Sequence, residues 1–310
     1  MATADASIII VTRNRKDKAK HAIRSALAQA GNLEVVVIDD ASDDGTAAEI
    51  QAEFPSIRIE RSSKQMGLIV SRNRAVEISS APVVISIDDD AEFADPETVH
   101  ATLRLFDDPH IGAVAIPFIN RSPDGSEIRM LPPVPDQNSI WITNTFVGTA
   151  FAVRRDVFLR IGGFQGLLFH WGEESEYTQR LLAAGYFVAM GSSGMIYHYP
   201  AGAGKYSRKV NRYIYRNRVL TLWFNAPTLL LAPMILGNVA VSLLGGVRRP
   251  RTLLSVLEGL GIALKDMCAT WRLRRPISLS RYRLWLRLRR ERPVALSKVA
   301  GEIDTRQEQS

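Results

Sequence analysis

The chain has 310 residues, 46% of them hydrophobic, and a single cysteine, Cys268; this allows one large core or two closely joined units and excludes an intramolecular disulfide or a cysteine-based zinc site. Its net charge of +7 is uneven: residues 248–310 carry 15 basic and 6 acidic side chains, a net +9, and residues 1–247 carry 24 and 26, a net −2. The basic character therefore belongs to the C-terminal segment, and the remainder has no excess charge with which to attract a polyanion.

In chain order, residues 7–11, Ser-Ile-Ile-Ile-Val, read as a buried strand running into the polar loop Thr12-Arg13-Asn14-Arg15. Residues 21–30 follow as a helix with Ile23 and Leu27 on one face. A second strand, 34–38, ends in Asp39 and Asp40 and a turn-rich stretch. A helix over 47–54, a short strand over 57–60 and a helix over 68–79 lead to another buried strand, 83–87, which runs into Asp88-Asp89-Asp90. Strand alternating with helix predicts a mostly parallel α/β sheet covered by helices on both faces. Ligands of such sheets bind beyond the carboxyl ends of the strands. Thr12, Asp39-Asp40 and Asp88–Asp90 should therefore gather at one edge. Further on, 149–153 reads as a strand and 174–184 as a helix closed by Gly185.

Three adjacent carboxylates at a strand end repel one another unless solvated or neutralised. Magnesium and manganese take oxygen ligands, often one or two carboxylates plus substrate phosphates. Asp39 and Asp40 can cap the following turn or accept a hydrogen bond from a nucleobase or ribose, and Arg72 can pair with a diphosphate. Trp171-Gly172-Glu173-Glu174-Ser175-Glu176 marks a helix start. Acids there suit the helix dipole, and one aimed at a substrate hydroxyl can act as a base. His198 is either structural or an additional metal ligand.

Together these pieces resemble the family 2 inverting glycosyltransferases of the GT-A fold, of the bacterial rhamnosyl- or galactofuranosyl-transferase type. The similar segments are 7–15, 37–46, Gly67 with Ser71-Arg72-Asn73, 87–90, Gly162-Gly163-Phe164, 172–176 with Arg180, and His198. The resemblance implies a Rossmann-like donor half over 1–110, an acceptor half over 111–225 and a helical, basic extension over 226–310. It implies transfer from a UDP- or dTDP-linked sugar to a hydroxyl of a glycan, lipid-linked or small-molecule acceptor, with Mn2+ or Mg2+. Thr12, Arg13, Asn14, Asp39, Asp40, Arg72, Asp88 and Asp89 would meet the donor, and Asp88, Asp90 and His198 the metal. Glu174, or else Glu173, would be the base, with Trp171, Gly172 and Glu176 on the acceptor side. The family usually has aspartate where this chain has Glu174, so the base reaches one methylene further.

Two rival readings are an aspartate-nucleophile phosphatase built on residues 38–40 and a membrane- or nucleic-acid-binding protein driven by the basic tail. The first leaves the later motifs unexplained, and no nucleic acid is expected as partner. The lone cysteine fits a reducing compartment, and residues 1–7 lack a secretory signal's basic start and apolar run. The expected location is the cytoplasm, at the inner face of the plasma membrane. Residues 219–247 carry no charge; they are long enough to cross a bilayer, which takes about 20 apolar residues, or to form a buried helical hairpin. Arg283, Arg287 and Arg290 near Leu284, Trp285, Leu286 and Leu288 suggest a helix lying on an anionic membrane.

Overall fold

The computed structural model describes residues 4–192, 194–200, 208–248 and 250–304. The first three and last six residues, over which the N-terminal and basic-tail expectations extend, lie outside the described residues.

The strands are β1 (Ala6–Thr12), β2 (Leu33–Asp39), β3 (Arg58–Arg61), β4 (Val83–Asp88), β5 (Ala91–Phe93), β6 (Ile111–Ala115), β7 (Phe118–Arg121), β8 (Glu127–Arg129), β9 (Trp141–Thr143), β10 (Ala150–Arg154), β11 (Phe187–Met190), β12 (Ile196–His198) and β13 (Val294–Ala295). The helices are α1 (Lys16–Leu27), α2 (Thr46–Glu53), α3 (Leu68–Ile78), α4 (Thr98–Leu103), α5 (Arg155–Arg160), α6 (Glu173–Ala183), α7 (Arg208–Asn225), α8 (Thr228–Arg248), α9 (Pro250–Ala269), α10 (Leu279–Glu291) and α11 (Gly301–Asp304). Nine strands form the main sheet in the order β13-β9-β11-β6-β10-β4-β1-β2-β3. β1 lies parallel to both β2 and β4, with Thr12 opposite Asp39 and Val11 opposite Asp88. The three polar strand ends, Thr12, Asp39 and Asp88, therefore meet at one edge, as the alternation predicts. β10 runs antiparallel between β4 and β6.

Burial explains the strand sequences. Ile8, Ile9 and Ile10 are all buried, so β1 shows no alternation. Helix α1 begins at Lys16 rather than His21, and Leu27 is exposed. Ala19, Ala22, Ile23 and Ala26 form its inner face. Alanine marks a buried stripe too weakly for the apolar spacing to reveal it. Gly185 closes α6 with φ +89°, as expected of a left-handed cap.

A smaller sheet, β5-β12-β7-β8, was not legible in the sequence. It sets His198 opposite Ala91 and Asn120. That pairing carries the histidine to the residues directly after β4.

The C-terminal segment divides in two. The uncharged run is split between the end of α7 and α8, with Pro233 inside α8, and α8 is long and apolar enough to cross a membrane. It is not a buried hairpin, because Leu229, Leu236, Val241, Leu244 and Val247 are all exposed. The expectation for α10 is corrected in the opposite direction. Leu284, Trp285 and Leu288 are buried in the same core as the strands of the main sheet, and Trp285 Nε1 donates to the Asn144 carbonyl at 3.1 Å. β13 then joins the sheet beside β9. The apolar side of this arginine-rich helix is satisfied by the protein itself, which leaves it nothing to insert into lipid.

Candidate active site

The three acids at the end of β4 take different partners. Asp88 accepts from Arg72 Nη2 at 2.6 Å. Asp89 turns to the Thr12 hydroxyl, 2.9 Å, and to Arg15 Nη1, 3.1 Å. Asp90 meets Arg15 at 3.2 Å, Lys18 at 3.4 Å and His198 Nε2 at 3.3 Å. Burial pushes the Asp89 carboxyl above its ordinary value despite Arg15. Burial acts the same way on Asp90, but His198, Lys18 and Arg15 outweigh it and hold that carboxyl low.

Asp88, Asp90 and His198 each offer a ligand atom, all within 4.8 Å of one another. His198 Nδ1 lies 2.7 Å from Asn120 Oδ1. With the Nδ1 proton directed at that oxygen, Nε2 faces Asp90 with a lone pair. Two lone-pair donors at 3.3 Å call for a cation between them or a proton on Nε2. The oxygen, oxygen and nitrogen donors fit Mn2+ or Mg2+.

The other donor-side residues split into scaffold and free groups. Asp40 commits its carboxylate to the backbone N–H groups of Met66 and Gly67, 2.7 and 2.9 Å, and to the Ser71 hydroxyl, 3.2 Å. It thereby fixes the entry to α3, which carries Arg72. Asp39 Oδ1 accepts from the Ser42 N–H at 2.8 Å, while its Oδ2 is buried without a hydrogen-bond partner. Asn14, at φ +53°, ties the loops after β1 and β2 together through Ser42 and Asp43. Arg13 is exposed.

Opposite this edge stands the start of α6. Arg72 also donates to the Gly148 carbonyl at 2.7 Å and lies 3.5 Å from Glu173 Oε1. Glu174 Oε1 accepts the Gly148 N–H at 2.9 Å. Gly148 thus joins the two sides, and a Cβ on it would sit 2.7 Å from Arg72 Nη1. Burial, then the neighbouring Glu174, pushes the Glu173 carboxyl up to about 8. Burial raises Glu174 as well, opposed by N–H groups at the helix start and at Gly148. Glu173 Oε2 is buried without a partner, whereas Glu174 keeps some exposure.

Before α6 the backbone is strained. Phe169, Trp171 and Gly172 all have positive φ, +58°, +71° and +93°. Both aromatic residues are 42% exposed. The loop is held from behind by α7: Asn217 Nδ2 lies 2.7, 2.8 and 2.6 Å from the carbonyls of Leu168, His170 and Trp171. Glu176, expected on the acceptor side, is corrected. It is buried in a two-bond ion pair with Arg180, at 2.6 and 2.7 Å. One turn into the helix, its side chain closes on Arg180 rather than on the site.

Sequence reasoning missed Arg15 and Lys18 as partners of the acids, Asn120 behind His198, Gly148 and Asn217. Arg15 lies within a segment that reads as a loop, where an arginine is ordinary. The others act across the fold and leave no local pattern.

The sheet, its acidic edge and the carboxylate-bearing helix facing it define an α/β protein of the nucleotide-sugar transferase architecture. Residues 7–171 match the profile of glycosyl transferase family 2, and the chain belongs to that family. It is 27% identical over 169 residues to an uncharacterized glycosyltransferase of Haemophilus influenzae, covering 52% of this chain and 57% of that protein. It is 36% identical over 95 residues to the succinoglycan biosynthesis protein ExoU of Rhizobium meliloti, covering 30% of this chain and 28% of that protein. The matches thus span about half or less of those relatives. Among solved structures, the mannosyltransferase PcManGT from Pyrobaculum calidifontis, in complex with GDP-Man and Mn2+, shares the fold with a TM-score of 0.58 and 17% identity, over 86% of this chain and 88% of that one.

Proposed function

We propose that the chain transfers a sugar from a nucleoside-diphosphate donor, UDP- or dTDP-linked, to a hydroxyl of a glycan or lipid-linked acceptor, with inversion at the anomeric carbon. The observation that carries this is the meeting of Asp88, Asp90 and His198 at the sheet edge with Glu173 and Glu174 opposite, joined through Arg72 and Gly148. The names of the relatives, a glycosyltransferase and a polysaccharide-biosynthesis protein, support the same reading.

A divalent ion, Mn2+ or Mg2+, fits Asp88, Asp90 and His198, and when bound it supplies positive charge against the donor diphosphate. Arg15 and Lys18, beside Asp90, add positive charge where the leaving diphosphate would sit. Asp39 Oδ2, which makes no hydrogen bond and lies 3.8 Å from Arg61 Nε, is an acceptor for a nucleobase N–H or a ribose hydroxyl. Thr12 and Asp40 serve the donor by fixing Asp89 and α3. Glu174 is the base. As a residue it is the more exposed of the pair, and burial raises its carboxyl above the ordinary value. It takes the acceptor proton as the hydroxyl oxygen bonds to the anomeric carbon and the bond to the diphosphate breaks on the opposite face. Trp171 and Phe169 are partly exposed aromatic residues against which an acceptor sugar ring can pack.

A donor panel tests this: UDP- and dTDP-sugars are mixed with the full chain and Mn2+, reading thermal stabilisation and slow donor hydrolysis. One nucleotide class should stabilise the protein, and only with metal present. Stabilisation by none, together with phosphate release from a generic phosphomonoester, would replace this reading with that of a phosphatase.

A further inference from the structure

Helix α8 is inside out for a helix facing water. Its buried residues include Ser242 and Gly246, while Leu229, Leu236, Val241, Leu244 and Val247 are exposed, Leu229 to 85%. Between 229 and 247 every fully exposed position is apolar. These positions recur at three- and four-residue steps, as a single helical face does. The neighbouring α9 continues the surface with Leu254, Leu257 and Leu264, and Trp271 follows it, 62% exposed. A soluble protein rarely leaves an apolar surface of this extent uncovered.

Charge at its rim identifies what covers it. Arg248 ends α8. At the other end of α8, Arg274 bonds the Ala226 carbonyl and the Thr228 hydroxyl, at 2.7 and 3.2 Å, which sets Arg272 and Arg275 beside the helix start. Among the described residues, Arg248, Arg272 and Arg275 are exposed and in no ion pair. An apolar face flanked at both ends by exposed arginines without a carboxylate partner, with a tryptophan at its margin, matches an anionic bilayer surface.

We propose that the α8–α9 hairpin embeds its outer face in an anionic lipid surface, lying in the plane of the interface. It does not cross the bilayer, because α8 packs through Gly246 on Leu253 and Val256 of α9, and α9 is fixed along α7 by the ion pairs Arg208–Glu258 and Arg216–Asp266. Helix α7 is in turn fixed to the catalytic body through Asn217 and through Asn225, whose Nδ2 donates to the Glu176 carbonyl. The inference rests on exposure and charge, independently of the reaction.

Flotation of the full chain with vesicles of phosphatidylcholine, with and without phosphatidylglycerol, tests it at physiological ionic strength. The wild type should float with the anionic vesicles at least about tenfold better than with the neutral ones. Leu236→Glu combined with Leu244→Glu should lower that binding by at least about tenfold with unchanged circular dichroism and melting temperature, since both side chains are exposed. Absence of wild-type binding to anionic vesicles, or equal binding by the variant, overturns the proposal. So does a wild-type dimer that ignores vesicles and that the double substitution turns into a monomer, which would assign the face to a second copy.

Discussion

The strand-end edge and the loop before α6 face each other across the same site but are held in different ways. At the edge, β-ladder pairing sets Thr12 opposite Asp39 and Val11 opposite Asp88, and cationic side chains from the loop after β1, from α1 and from α3 neutralise the acids. The loop has no ladder. Its conformation includes two non-glycine residues at positive φ and depends on Asn217, 46 residues beyond Trp171. Strained backbone persists only where its surroundings over-determine it. The edge should therefore fail only through its own residues, whereas the loop can be disturbed from behind without touching any reacting group.

The largest effect is expected at the edge. Asp90→Ala should lower kcat/KM by about a thousandfold and abolish stabilisation by Mn2+, with the fold intact. Wild-type activity persisting in excess chelator would remove the metal from the reading. Across the site, Glu174→Gln should lower kcat by about a hundredfold and leave donor affinity unchanged. If Glu174→Gln turns over normally while Glu173→Gln does not, the base is Glu173.

The same contrast explains what was legible in the sequence. β1, β2 and β4 announce themselves as runs of β-branched residues ending in polar groups, so the parallel sheet and its acidic edge follow from local pattern. The meeting of His198 with Asp90 depends on the three-residue strands β5 and β12, too short to show a period. The burial of Leu284, Trp285 and Leu288 shows a second limit. An arginine-rich helix with apolar residues on one side reads alike whether that side meets lipid or the protein's own core. Helix α8 shows the converse, since only the positions of its neighbours reveal which side of a predominantly apolar helix is left exposed.

A smaller effect separates the loop from the edge. Asn217→Ala removes the donor shared by three carbonyls behind the loop, costing about 1–3 kcal/mol of stability. Acceptor KM should rise several-fold while donor KM and Mn2+ affinity stay the same. Equal losses for donor and acceptor would mean that the loop and the edge move as one body.

The smallest effect concerns stability alone and uses the pH dependence of Glu173. In the unfolded chain this carboxyl ionises near its ordinary value of 4.5, and in the native chain near 8. Below the lower value both states carry the proton and the group favours neither. Between the two values the unfolded chain has lost the proton and the native chain keeps it, so stability falls as pH rises. Above about 8 both are ionised and the loss levels off. Gln at this position resembles the neutral acid and does not titrate. The melting temperature of Glu173→Gln should therefore gain on the wild type by a few degrees between pH 5 and pH 8, then run parallel to it. A constant difference across that range would mean that Arg72, 3.5 Å away, keeps Glu173 ionised, which would make the carboxylate part of a permanent ion pair linking the two sides.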